Sequence, residues 1–197
     1  MKAKITTIAV MGALFALIIY GGTRWPAGPS GQITAREAVK TSSTWHPAAR
    51  RLVALMVDKY GPPSIVSDDR VVWGPRGPWK RIVVSNSEPF SPLEQVVEYS
   101  VQPRDHAKLL RFGNGMTVID PVNRELGARS DREELNVLAL NLGHDIATGK
   151  RTPEEADRFY KHTIRLMLAG KSSPYTERLL FEEPKVIQED RFPGARY

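Results

Sequence analysis

The chain has 197 residues, 41% of them apolar, which suits one domain with a packed core plus extensions. Half of its formal net charge of +6 sits on Lys2, Lys4 and Arg24, in a leading stretch that holds no acid. The remainder therefore carries an ordinary surface charge without a basic stripe, so nucleic-acid binding is not expected, and the absence of Cys excludes disulfides, a thiolate nucleophile and Cys-based zinc sites.

Two lysines precede an uncharged apolar run from Ile5 to Tyr20, the arrangement of an export signal whose basic end stays on the cytoplasmic side. Residues 1–22 are read as a signal anchor or a signal peptide. The run through Gly22 reaches the lower length limit of a spanning helix at a rise of about 1.5 Å per residue. No Ala-x-Ala follows Ile19, and Tyr20 and Trp25 stand where a peptidase wants small residues, which favours an uncleaved anchor. Residues 23–32, rich in Gly and Pro, read as a linker.

Residues 33–170 are expected to form an α+β domain, a small antiparallel sheet packed against helices. Thr34 and Glu37 open a short first helix in a capping-box pattern. A second helix runs from Pro47 to Tyr60, with Leu52, Val53, Leu55, Met56 and Tyr60 at helical spacing and Gly61-Pro62-Pro63 as its stop. The stretch from Gly61 to Ser85 then turns into a hairpin with Trp73 and Trp79 on either side of its loop, and Leu93 to Val101 alternates as a further strand. A short helix over Pro103 to Phe112 and two strands, Met116 to Asp120 and Glu125 to Arg129, come next. Ser130 and Glu133 give a second capping-box pattern before the most apolar helix, with Leu135, Leu138, Ala139, Leu142 and Ile146 in one stripe and Gly149 at its end. Thr152-Pro153-Glu154-Glu155 starts the last predicted helix, whose inner face is Ala156, Phe159, Tyr160, Thr163, Met167 and Leu168. Residues 171–197 read as a mostly irregular C-terminal tail apart from Leu179-Leu180-Phe181.

The search for chemistry assigns no catalytic residue, no metal site and no cofactor. His46, His106, His144 and His162 never stand at helical ligand spacing, and adjacent His144 and Asp145 point in different directions on a helix. Gly143 to Arg151 misses the spacing and the final Ser or Thr of a phosphate loop. One binding constellation stands out: Trp73, Arg76, Trp79, Lys80 and Arg81 on the hairpin, where two indoles and a guanidinium could grip an anion or a partner's carboxylate. The commoner role for such indoles is packing. Leu179, Leu180 and Phe181 form a second candidate, a contact for a partner, with docking onto the chain's own domain as the slightly preferred alternative.

At Gly61-Pro62-Pro63, Val72-Trp73, Gly77-Pro78-Trp79-Lys80-Arg81, Leu93-Glu94-Gln95-Val96 and Ala139-Leu140-Asn141-Leu142 through Thr148-Gly149-Lys150-Arg151, the chain resembles a bacterial family of uncharacterised exported proteins. The likeness covers His46 to Leu168 and implies a bacterial envelope setting without a known activity. The helix ending in Gly-Pro-Pro before Trp-bearing strands is more weakly similar to small α+β lipoproteins of the outer-membrane assembly machinery. Here no Cys is available for lipidation and two further helices follow.

The expectation is a membrane-anchored, extracytoplasmic interaction or adaptor module at the outer face of the cytoplasmic membrane. It would be inserted through residues 5–22 and work on an envelope protein partner. The alternative is a periplasmic small-ligand binder or enzyme whose site is assembled from dispersed His, Asp and Arg residues.

Overall fold

A computed structural model of the protein describes residues 34–113 and 117–182. The apolar run 5–22 with its expected N-terminal helix, the linker 23–32 and the tail beyond Glu182 lie outside the described residues. Among the described residues, no helix is long and apolar enough to cross a membrane.

The fold is α+β. Six strands, β1 (Ile65–Val66), β2 (Arg70–Trp73), β3 (Arg81–Ser85), β4 (Leu93–Glu98), β5 (Thr117–Asp120) and β6 (Glu125–Ser130), form one antiparallel sheet in the order β1-β2-β3-β4-β6-β5. Among the described residues six α-helices accompany it, α1 (Ala35–Thr41), α2 (Pro47–Tyr60), α3 (Pro103–Arg111), α4 (Glu133–Ala147), α5 (Pro153–Leu168) and the single turn α6 (Pro174–Glu177), with a 3-10 turn over Ser42–Thr44.

The alternation expected in β4 sets the two faces of the sheet. Leu93, Gln95 and Val97 are buried and stand beside Val84 and Ile82 of β3 and beside Ala128 and Leu126 of β6. Trp73 and Val71 extend this face through β2, and α4 packs over it. The opposite face alternates charge with valine. Arg81 bridges Glu94 at 3.3 Å and Glu125 at 2.9 Å, Arg129 holds Glu94 at 2.6 Å, and Lys80 reaches Glu125 at 3.2 Å. Under this ladder Val96 is buried against Gly127, where an added Cβ would sit 3.2 Å from Val96 Cγ2 and 3.4 Å from Val118 Cβ. The strands approach so closely there that Val96 or Val118 would have to give by a few tenths of an ångström to admit a side chain.

Local signals place most helix ends. Thr34 Oγ1 accepts from the Glu37 N–H at 3.1 Å, Pro47 opens α2, and Gly61 closes it at φ 76°. At α5 the full capping box forms: Thr152 Oγ1 accepts from Glu155 N–H, and Glu155 Oε2 accepts from Thr152 N–H. The capping box expected from Ser130 and Glu133 does not form. Ser130 still belongs to β6 and donates to the Arg132 carbonyl at 2.6 Å, so α4 begins two residues later and Glu133 is its first residue. Its carboxylate is thereby freed for contacts elsewhere. Two other expectations are corrected by packing: Leu55 is 59% exposed and Leu168 81% exposed, because each lies outside the stripe its helix turns inward. α4 itself is enclosed by the sheet, α3, α5 and α6, which is why nearly all of Asn136 to Ile146 is buried.

Candidate functional site

The five hairpin residues do not converge on one surface. Trp73 is fully buried, with its indole N–H donating to the Gly61 carbonyl at 2.9 Å. Arg76 folds back, donating to the carbonyls of Tyr60 at 3.3 Å and Pro75 at 2.8 Å. Lys80 and Arg81 belong to the ion ladder on the far side of the sheet. Trp79 is buried on the helical side, where it joins a cluster that sequence inspection did not foresee.

The centre of that cluster is Glu133. Its Oε1 accepts from the Tyr60 hydroxyl, from Trp79 Nε1 at 3.1 Å and from Gln95 Nε2 at 3.1 Å, while Oε2 accepts from Lys59 Nζ at 2.6 Å. Trp79 Nε1 also donates to the Tyr60 hydroxyl at 2.8 Å. Behind Gln95, Asn136 Nδ2 donates to Gln95 Oε1 and to the Leu93 carbonyl, both at 3.1 Å. One carboxylate thus ties together the end of α2, the hairpin loop, β4 and the start of α4. It forms part of the floor of an open cleft of about 740 Å³ that also involves Lys59, Tyr60, Trp79, Lys171 and Arg178.

The electrostatics fix the protons. Burial pushes the Glu133 carboxyl up, but hydrogen bonds from Lys59, Tyr60 and Gln95 outweigh it and hold the group below the usual carboxylate range. Burial, reinforced by the neighbouring Glu133, pushes the Tyr60 hydroxyl up to about 12. Glu133 is therefore an anion and Tyr60 a donor at neutral pH. A carboxylate with four donors has little capacity left to accept a substrate proton.

The second candidate, Leu179-Leu180-Phe181, is docked on the chain's own domain. Leu179 and Phe181 pack against the core, and Phe181 stacks on His144 with ring centres 4.7 Å apart and planes 12° apart. His144 Nδ1 shares a hydrogen bond of 2.9 Å with the Tyr99 hydroxyl, and burial lowers its pKa. Asp145 looks elsewhere, as adjacent helical residues must: Oδ2 accepts from Arg151 Nε and the Tyr175 hydroxyl, each at 2.8 Å, and Oδ1 pairs with Lys150 at 3.0 Å. Burial pushes the Asp145 carboxyl up, and these three donors bring it below its ordinary range. His106 is also occupied, its Nε2 sharing a 3.1 Å contact with the Val101 carbonyl. Among the described residues, no group of three or more His, Asp or Glu is placed to hold a metal ion.

No known protein family, curated protein or solved structure matches the chain. The site is therefore read from its own geometry. That geometry is an α+β module whose central acids, Glu133, Asp145, Glu94 and Glu125, are each committed to contacts between elements.

Proposed function

We propose that the protein is an extracytoplasmic interaction module, an adaptor held at the outer face of a bacterial cytoplasmic membrane by its N-terminal apolar segment. The observation that carries this reading is the commitment of the acids just described. Side chains suited to proton transfer are spent on joining α2, the hairpin, β4, α4 and the segment after α5. Apolar groups meanwhile reach solvent, led by Phe90 at 90% exposure in the loop between β3 and β4. The uncharged run after Lys2 and Lys4 supports the membrane setting.

The test is the intact mass and membrane fractionation of the full chain made in a bacterial host. A full-length mass in a pellet that resists salt washing is the expected result. A mass shortened within residues 21–32, recovered in the soluble periplasm, would overturn the tether.

A second reading, a periplasmic small-ligand binder, is favoured by the cleft alone. Its volume lies within the range of small-molecule sites, and it places Lys171 and Arg178 with Glu177 beside the Trp79 indole. Such walls suit a zwitterion. Free amino acids added to the full chain would then raise its melting temperature, and Arg178→Ala would abolish the rise; no rise with any of them ends this reading.

A further inference from the structure

Two openings in the surface meet at one residue. The larger is the cleft of about 740 Å³ beside Glu133, and the smaller, of about 260 Å³, is lined by Ala48, Arg51, Leu52 and Leu55 of α2 and by Asp131, Arg132 and Glu134. Glu134, in the first turn of α4, lines both, so the two form one elongated depression between α2 and α4.

The polar groups around the depression divide into those already committed and those left over. Glu133, Lys59, Tyr60 and the Trp79 indole N–H are committed to one another, and Arg132 to Asp131 at 3.0 Å. Lys171, Glu177 and Arg178 on the far wall and Glu134 at the junction are exposed instead. Among the described residues, none of these four side chains makes a hydrogen bond or an ion pair. Opposite charges that line one depression without pairing leave room between them for a ligand that carries both. The far wall, with two bases and one acid, suits a carboxylate, and Glu134 suits an ammonium.

Leu55 supplies the apolar part. It is 59% exposed, and it borders Ala48 and Leu52 in the smaller opening that Glu134 shares. A large apolar side chain placed there covers it from water. The far wall is also held in place. Glu177 and Arg178 belong to residues 174–182, a strap that Asn141 ties to α4. Asn141 Nδ2 donates to the carbonyls of Tyr175 at 3.0 Å and Arg178 at 2.8 Å, and its Oδ1 accepts from the Leu180 N–H at 2.7 Å. The Glu133 carboxylate fixes the opposite wall by joining Lys59, Tyr60 and Trp79 to α4. The depression is therefore preformed, and little ordering opposes binding.

We propose that the depression binds a short peptide with a free amino terminus and a free carboxylate. The ammonium sits at Glu134, the first side chain, large and apolar, on Ala48, Leu52 and Leu55, and the carboxylate at Lys171 and Arg178. A free amino acid bears both charges on one carbon. A peptide of two or three residues sets them apart and leaves its first side chain at the junction. The proposal rests on the small-ligand reading of the cleft, whose ligand it names, and is independent of the membrane tether.

The probe is the tripeptide Leu-Gly-Gly, titrated by calorimetry into the full chain in detergent, with leucine, the tripeptide amide, the N-acetyl tripeptide and Gly-Gly-Gly beside it. Leu-Gly-Gly is expected to bind at least about tenfold tighter than each of the four. Glu134→Gln is expected to remove the advantage over the acetylated peptide, Arg178→Ala that over the amide, and Leu55→Ser that over Gly-Gly-Gly. All three positions are exposed, so the variants keep the fold, which circular dichroism checks. Leucine that binds as tightly as Leu-Gly-Gly overturns the peptide and leaves the small-ligand reading standing. A melting temperature that neither raises ends both. An acetylated peptide that binds as tightly as the free one would assign the site to the C-terminus of a protein chain and overturn a free peptide as its ligand. Losses from Glu134→Gln and Arg178→Ala that are equal for every ligand overturn the assignment of charges to the two walls.

Discussion

Replacing Glu133 by alanine takes the acceptor from Tyr60, Lys59 and Gln95 at once, and Gln95 lies fully buried in the sheet. Stranding buried donors costs more than losing a neutral hydrogen bond, so Glu133→Ala is expected to destabilise the fold by about 2–4 kcal/mol in urea unfolding. Lys59→Met removes only the ammonium partner, whose side chain is 57% exposed, and is expected to cost less than about 1 kcal/mol. Equal losses for the two would show that the carboxylate's worth lies in the surface pair. The same residue sets an acid response. Glu133 and Asp145 both titrate below their ordinary range, so on acidification the unfolded chain takes up protons before the folded one. Their contribution is complete above the unfolded values near about 4 and is lost as pH falls through the folded values. The urea midpoint is therefore expected to fall steeply below about pH 4.5, and Glu133→Gln to start lower and fall less. A parallel decline in both chains would remove Glu133 from the acid response.

Elements whose ends rest on local chemistry give smaller and more predictable effects. Thr152 supplies one of the two reciprocal hydrogen bonds of the box that opens α5, and Thr152→Ala is expected to cost about 1 kcal/mol. Gly127 is held by a distant neighbour instead. A methyl group there meets Val96 and Val118 across two strand pairs, and Gly127→Ala is expected to cost about 1–3 kcal/mol through displacement of β5 or β4. Thermal melts of the two variants compare a cap with a close approach. A neutral Gly127→Ala would mean that the edge strand β5 shifts freely.

At the scale of the whole molecule, the strap closes the structure. Asn141, Asp145, His144 and the ring of Phe159 all find partners on residues 175–181. A chain ending at Gly170 is therefore expected to keep its sheet, seen in far-UV circular dichroism, while melting at a lower temperature. Adding the peptide of residues 172–182 is expected to restore part of the loss. A truncated chain that melts like the full one would show that the strap adds nothing to stability. Within residues 171–182 only Pro174–Glu177 is helical, and the irregular residues after it are held on α4 through Asn141 and His144.

The sequence by itself determined what short-range chemistry controls. Pro47 and Gly61 bound α2, Thr152 through Glu155 open α5, and the alternation in β4 faces Leu93 and Val97 to the core, because dihedral preference, capping and side-chain period act within a few residues. It also marked the α+β class through the order of these elements. Tertiary structure decided the rest. Glu133 reads as a capping residue until the fold brings Tyr60, Trp79 and Gln95 to it from 73, 54 and 38 positions away. Trp73 and Trp79 leave packing and a ligand grip both open in sequence, packing being the commoner, and the fold gives one indole the Gly61 carbonyl and the other the Tyr60 hydroxyl. Leu55 and Leu168 fit their helical stripes by spacing, yet only the neighbours that arrive from elsewhere decide which edge of a stripe is covered. Asn141 gives no signal in an apolar helix until a segment some forty residues downstream lies across it. Such partners are chosen by packing over the whole chain, and no local propensity encodes them.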